Sequence, residues 1–214
     1  MIKLVKRSKP RILVEKETQW TDDLMRYINN KTDPPESVKN KYRHDEIKNG
    51  VKLETNGKCA YCESKLLHVD YGDIEHIIPK AIKPDLSFVW GNLTLACSKC
   101  NTNKSKKYNP SSPFLNPYVD EIDDHLRAFG PLISHINHSF CGKITIGEIQ
   151  LNRMELIERR IDALMHIQVI IDNYEKSPAG VEKDYLKQEL ITFSDSDKEF
   201  SFILKQYLSD KGII

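Results

Sequence analysis

Four stretches of the chain carry apolar residues at helical spacing. The first two, about Trp20 to Asn30 and Glu36 to Glu54, are divided by Pro34-Pro35, and Gly57 closes the second just ahead of Cys59. The third holds Leu151, Met154, Ile157, Ile161, Leu164 and Ile171 near a 3.6-residue period, with Leu156, Ala163, Ile167 and Ile170 widening the apolar face. The fourth places Phe200, Ile203, Leu204, Tyr207 and Leu208 on one side, and Ser196-x-x-Glu199 has the pattern of a capping box. Core packing is the expectation for the last two faces, with docking of a partner subunit as the sharper alternative. Leu132 to Ile136 and Lys143 to Ile146 read instead as short strands, and the polar, glycine-containing link Asn137 to Gly142 predicts a hairpin between them.

Between these flanks the period changes. Gly72-Asp73-Ile74-Glu75-His76-Ile77-Ile78-Pro79-Lys80 is a β-branched run bounded by glycine and proline, which predicts a short strand ending at the proline. Trp90-Gly91-Asn92 turns into a second strand at Leu93-Thr94-Leu95, and Asn101 to Lys107 predicts the start of a helix. The order is strand, loop, strand, helix. Pro110, Pro113 and Pro117 follow and cannot continue that helix. The expected organisation is a helical segment 1–58, a central module 59–108, and a C-terminal segment 109–214 of a short β-hairpin plus helices.

Composition narrows the class without naming a partner. Hydrophobic residues at 39% and charged residues at 29% describe an ordinary globular chain. The 32 basic and 31 acidic residues nearly cancel, so any argument for a nucleic-acid partner must come from local patches. No apolar run follows the basic N-terminus and no stretch approaches the ~18 apolar residues of a membrane span, so the expectation is a cytoplasmic protein without a membrane partner.

In a reducing compartment the five cysteines point away from disulfides. Cys59-Ala-Tyr-Cys62 and Cys97-Ser-Lys-Cys100 are two Cys-x-x-Cys pairs, whose four thiolates complete a closed tetrahedral shell around a structural zinc ion. Cys141 receives no role. The 34 residues between the pairs exceed the ~15–20 of a compact zinc ribbon, so something is inserted there. That insert holds the acid, histidine and asparagine residues described above.

The succession C-x-x-C, E-H-I-I-P-K, G-N-L and C-x-x-C-N-x-x-K, from Cys59 to Lys104, resembles the HNH (ββα-metal) endonucleases. Lys58 to Glu63, Phe114-Leu115-Asn116-Pro117 and the helical C-terminal region also resemble the HNH subunit of Septu antiphage defence systems (PtuB-like proteins). The resemblance implies an α+β fold: a zinc-pinned ββα-metal module with mainly helical N- and C-terminal flanks. It implies phosphodiester hydrolysis in nucleic acid, an effector role in antiphage defence, and an ATPase partner subunit.

Hydrolysis of a phosphodiester needs a base for water and positive charge against the developing negative charge. His76 is the candidate base, because a neutral imidazole accepts a proton near pH 7. The resemblance places ligands of a catalytic divalent ion at Glu75 and Asn101, and gives Asn92 the task of holding the active-site loop and orienting the histidine. Oxygen donors at these positions favour Mg²⁺ or Mn²⁺. Alternation along a strand puts Glu75 and His76 on opposite faces and Asp73 with Glu75 on one. Either the strand is distorted near Pro79 or Asp73 joins the metal, so Glu75 is the first choice and Asp73 the second. His68 matches no motif position and reads as structural or surface.

Lys99, Lys104, Lys106 and Lys107 lie in a stretch without an acidic residue, and Lys80 follows the catalytic strand. These five are the expected contacts to a phosphate backbone, with a solvated lysine face as the plainer alternative. DNA and RNA are not distinguished. The rival class is a non-catalytic zinc-ribbon module that binds nucleic acid or a protein, indifferent to His76 and Asn92.

Overall fold

The computed structural model describes residues 1–66, 71–111 and 113–214. His68 therefore lies outside the described residues. Helix α1 (Arg11–Asn29) begins well before the expected Trp20. Its first half buries only Leu13 and presents an Arg11–Glu15 ion pair to solvent, which hides its periodicity. The stretch read as one helix from Glu36 is broken into α2 (Glu36–Lys39), a 3₁₀ turn at Lys41–Arg43, and α3 (Asp45–Glu54). The break is made by His44, whose ring nitrogen accepts a bond from the Glu46 amide and caps α3. It drives Tyr42 into the interior.

The central module follows the expected order. Strands β1 (Asp73–His76) and β2 (Leu93–Ala96) pair antiparallel, with Asp73 opposite Ala96 and His76 opposite Leu93. Helix α4 (Ser98–Lys104) follows directly, its N-terminus capped by the Cys97 sulfur accepting from the Cys100 amide. It lies across β1, while α3 packs against β2, so every residue of β2 is buried. Trp20 of α1 meets Phe88 of the β1–β2 loop edge to face at 5.7 Å, which ties the N-terminal helices to the module.

The C-terminal segment departs from expectation in its strands. The hairpin joins β3 (Leu126–Phe129) to β4 (Leu132–His135), through Gly130 at φ +55° and Pro131. Lys143 to Ile146, expected as a strand, lies inside helix α5 (Phe140–Ile149). Ser139 caps that helix by accepting from the Gly142 amide, and Thr145 spends its hydroxyl on the Cys141 carbonyl and the Leu115 amide. Capping and packing thus override the β preference of Ile144, Thr145 and Ile146. Gln150, in the left-handed region, ends α5, and α6 (Met154–Lys176) begins after it.

Helix α7 (Val181–Thr192), unexpected from the sequence, buries Leu190 and leaves Val181 and Tyr185 exposed. Helix α8 (Ser201–Asp210) starts behind a left-handed Phe200 and not at Ser196. The expected capping box does not form, because Glu199 accepts from the Lys65 amide instead. One buried cluster runs from Leu13 through Tyr61, Leu95 and Leu126 to Phe202, and a smaller one fills the space among α6, α7 and α8. Among the described residues no helix is long and apolar enough to cross a membrane.

Candidate active site and metal centre

The two Cys-x-x-Cys pairs converge. The four sulfurs lie within 4.8 Å of one another, with Cys62 and Cys97 at 3.9 Å. Sulfurs of a tetrahedral tetrathiolate zinc stand about 3.8 Å apart, so the donors need close by only about 1 Å. The first pair is held against β2 by the Ala60 amide, which donates to the Leu95 carbonyl. The turn after it is held by Glu63, whose buried carboxylate accepts from Ser201 and the Phe202 amide of α8 and pairs with the Met1 amino group at 2.6 Å. Arg153 sets its guanidinium 3.6 Å from the Cys100 sulfur and 4.0 Å from that of Cys97, placing positive charge beside a group of thiolates. The four cysteines are thus positioned to bind a metal ion.

His76 ends β1 on the side away from α4. Its Nε2 donates to the Ser87 carbonyl at 3.0 Å, which leaves the lone pair on Nδ1. The Tyr42 ring meets the imidazole edge to face at 4.7 Å. Burial, reinforced by Lys80 and Lys104 and opposed by the Ser87 bond, lowers the His76 pKa to about 4, so the ring is neutral at pH 7.

The loop that carries Ser87 is stapled by Asn92. Its Oδ1 accepts from the Ile78 amide at 2.8 Å, and its Nδ2 donates to the carbonyls of Ile78 and Leu86. The Leu86 bond fixes the residue adjacent to the Ser87 carbonyl, so the Asn92 amide and the His76 ring hold neighbouring peptides of one loop.

The other face of β1 meets α4 in two successive pairs. Asn101 Nδ2 donates to Asp73 Oδ2 at 2.9 Å, and one helical turn later Lys104 Nζ reaches Glu75 Oε1 at 2.6 Å. Residues i and i+2 of the strand thus meet residues i and i+3 of the helix. The strand keeps its regular alternation, so Glu75 and His76 face opposite ways.

Two expectations are revised here. Lys104, expected at a phosphate backbone, is fully buried and also donates to the His76 carbonyl at 2.8 Å. Glu75, the first choice of oxygen ligand, is itself buried and already accepts a charge-assisted bond from that lysine. Burial raises its carboxyl pKa above the ordinary value, against the pull of Lys104.

Asp73 and Asn101 instead open onto a recess of about 370 Å³, lined also by Tyr42, Arg43, Lys48, Gly72 and Ile74. The Asn101 amide oxygen accepts no hydrogen bond among the described residues, so a carboxylate and an amide oxygen are both presented there. Tyr42, Arg43 and Lys48 come from the N-terminal segment and have no counterpart among the expected site residues. The signal that could have found them is Lys41-Tyr42-Arg43, a basic run with an aromatic interleaved. Of the other lysines, Lys80 donates to the Tyr42 hydroxyl at 3.1 Å, Lys99 pairs with Glu155, Lys107 pairs with Glu148, and Lys106 is exposed.

Residues 59–107, with a two-stranded antiparallel sheet crossed by a helix, a histidine on the first strand and an asparagine-stapled loop, match the family model described as HNH endonuclease. Over a longer frame the chain is 28% identical across 156 residues to the Septu protein PtuB of Bacillus thuringiensis, covering 72% of this chain and 56% of that protein. It is 30% identical across 159 residues to the Septu protein PtuB of Bacillus mycoides (strain KBAB4), covering 60% of this chain and 54% of the relative. The chain thus spans little more than half the length of the curated relatives it matches.

Proposed function

We propose that this protein is a metal-dependent HNH endonuclease that hydrolyses phosphodiester bonds in nucleic acid and serves as the nuclease of an antiphage defence system. The observation that carries this reading is Tyr42, which seats its ring against His76 and also lines the recess onto which Asp73 and Asn101 open. Nδ1 of His76 takes a proton from water as the water oxygen bonds to phosphorus. The bond from phosphorus to the leaving sugar oxygen breaks, and that oxygen is protonated from solvent. Asn92 acts as a positioning residue through the loop that orients the imidazole.

Asp73 and Asn101 would hold Mg²⁺ or Mn²⁺, since hard divalent ions prefer oxygen donors of these two kinds. When bound, such an ion supplies positive charge against the charge gathering on the phosphate. Glu75, gripped by Lys104, joins strand to helix in this reading and is not the principal ligand. The tetrathiolate cluster holds zinc with a structural role, and elemental analysis is expected to find about one tightly bound zinc per chain. Lys80, Lys99, Lys106 and Lys107 supply sequence-independent backbone contacts. The resemblance to PtuB proteins supports the defence setting and a partner ATPase.

The test is incubation of the protein, with and without the product of its genomic neighbour, with plasmid DNA and with total RNA in Mg²⁺ or Mn²⁺. Cleavage is expected in at least one arm and is lost in His76→Ala. Cleavage that survives this substitution would remove the proposed base. No cleavage of either substrate in any arm would transfer the chain to the non-catalytic binding modules.

A further inference from the structure

The N-terminal segment reaches the candidate site through one short turn. A 3₁₀ helix has three residues per turn, so the consecutive side chains of Lys41, Tyr42 and Arg43 point in three directions. Lys41 turns outward to Asp23 at 3.3 Å and lies over Trp20 of α1. Tyr42 turns inward and seats its ring against His76. Arg43 is left on the rim of the recess that Asp73 and Asn101 open onto. Because Tyr42 is buried and touches the imidazole, the backbone that carries Arg43 is held in place relative to the candidate base.

Two cations among the described residues line the recess, Lys48 and Arg43, and they are not equivalent. The Lys48 ammonium bonds the Gly72 carbonyl. Arg43 is exposed, forms no ion pair among the described residues, and lies 5.8 Å from the centre of the Tyr42 ring. A phosphodiester entering the recess carries negative charge toward the Asp73 carboxylate, so it needs a cation on its open side as well as one at the oxygen donors. A planar guanidinium offers two parallel N–H bonds to a phosphate, which an ammonium does not.

We propose that Arg43 grips the scissile phosphate above Asp73 and Asn101, so that the N-terminal segment, outside the HNH domain, completes the active site. This rests on the nuclease reading. Arg43 is then a substrate-contacting residue, and Tyr42 positions both it and His76.

The test compares wild type, Arg43→Ala, Arg43→Lys and the charge control Lys16→Ala on whichever substrate the wild type cuts, under single-turnover conditions. Arg43→Ala is expected to lose about 100-fold in rate, as for removal of one transition-state donor. Its melting temperature should be unchanged, since no ion pair is lost. Arg43→Lys should recover only part of the rate, and added guanidinium ion should restore part of it to Arg43→Ala. In parallel, binding of fluorescein-labelled duplex DNA and single-stranded RNA is followed against salt in Ca²⁺. The log–log slope should fall by about 0.9 on the duplex and about 0.7 on the single strand in Arg43→Ala, the loss of one phosphate contact.

A rate within about threefold of wild type, an equal loss in Lys16→Ala, or an unchanged salt slope would overturn the assignment while leaving the nuclease reading in place. A wild-type protein that binds and cuts neither substrate sinks that reading, and this inference with it.

Discussion

The joint between β1 and α4 contains two acid–partner pairs that differ in almost everything except their position in the sequence pattern. Asp73 with Asn101 and Glu75 with Lys104 lie two strand residues and one helical turn apart. The first is neutral on its helix side and open to the recess. The second is a full ion pair sealed beneath Phe114, whose ring centre lies 5.8 Å from the ammonium. An open carboxylate beside an amide is available to a cation, whereas a buried carboxylate already matched by a lysine contributes to holding the helix on the strand. The difference is one of solvent access and partner charge, and under the proposed function it separates a cation site from a joint between strand and helix.

The most severe way to break this comparison is to remove the buried lysine. Lys104→Met strips the buried Glu75 carboxyl of its partner, which should cost about 3–5 kcal/mol in chemical denaturation. The double variant Glu75→Gln with Lys104→Met should recover much of it. Stability unchanged in the single variant would show that the pair is not sealed.

Next come Asp73→Ala and Asn101→Ala, expected to lower the cleavage rate about 10²–10³-fold, or about 3–4 kcal/mol of barrier, with little change in melting temperature. The reverse pattern, with activity surviving these two and vanishing in Glu75→Gln at unchanged stability, would exchange the roles of the two pairs.

A third measurement uses the opposite face of the strand. The His76 imidazole has a pKa of about 4 in the fold against 6.5 in the unfolded chain, so between these values the unfolded state binds more protons. The stability it contributes is fully present above about pH 6.5 and drains as pH falls toward 4, by about 3 kcal/mol. A denaturation series over that interval should show this slope and lose it in His76→Asn. The single-turnover rate should likewise stay free of any His76 titration above about pH 5.

The smallest effects are expected at the rim. Lys99→Ala and Lys107→Ala each remove an exposed ion pair, so stability should change by less than about 1 kcal/mol. Their effect on nucleic-acid binding should be uniform across sequences and fade with salt.

Much of the central module was legible in the chain because its signals are local. Paired cysteines two residues apart, a β-branched run closed by Pro79, and Asn92 at the mouth of the second strand each report on geometry within a few residues. The errors came where distant contacts outweigh local preference. Ile144, Thr145 and Ile146 have strand propensity, yet Ser139 and the Leu115 amide hold them in a helix. Helix α7 buries so little apolar surface that its period is faint. Glu75 ranked ahead of Asp73 on one strand face, yet nothing within β1 tells which of them a lysine from α4 will neutralise.

By itself the sequence determined the kinds of donor available, four thiols, two carboxylates, one imidazole and two amides, and the strand–loop–strand–helix order that spaces them, because spacing along a chain is set by covalent geometry and periodicity. Only the tertiary structure decided which carboxylate is open and which is buried, and that Arg43, thirty positions before Asp73, stands at its side. Burial and charge pairing are properties of the packed whole, created when α3 and α4 close on the sheet, and no local pattern contains them.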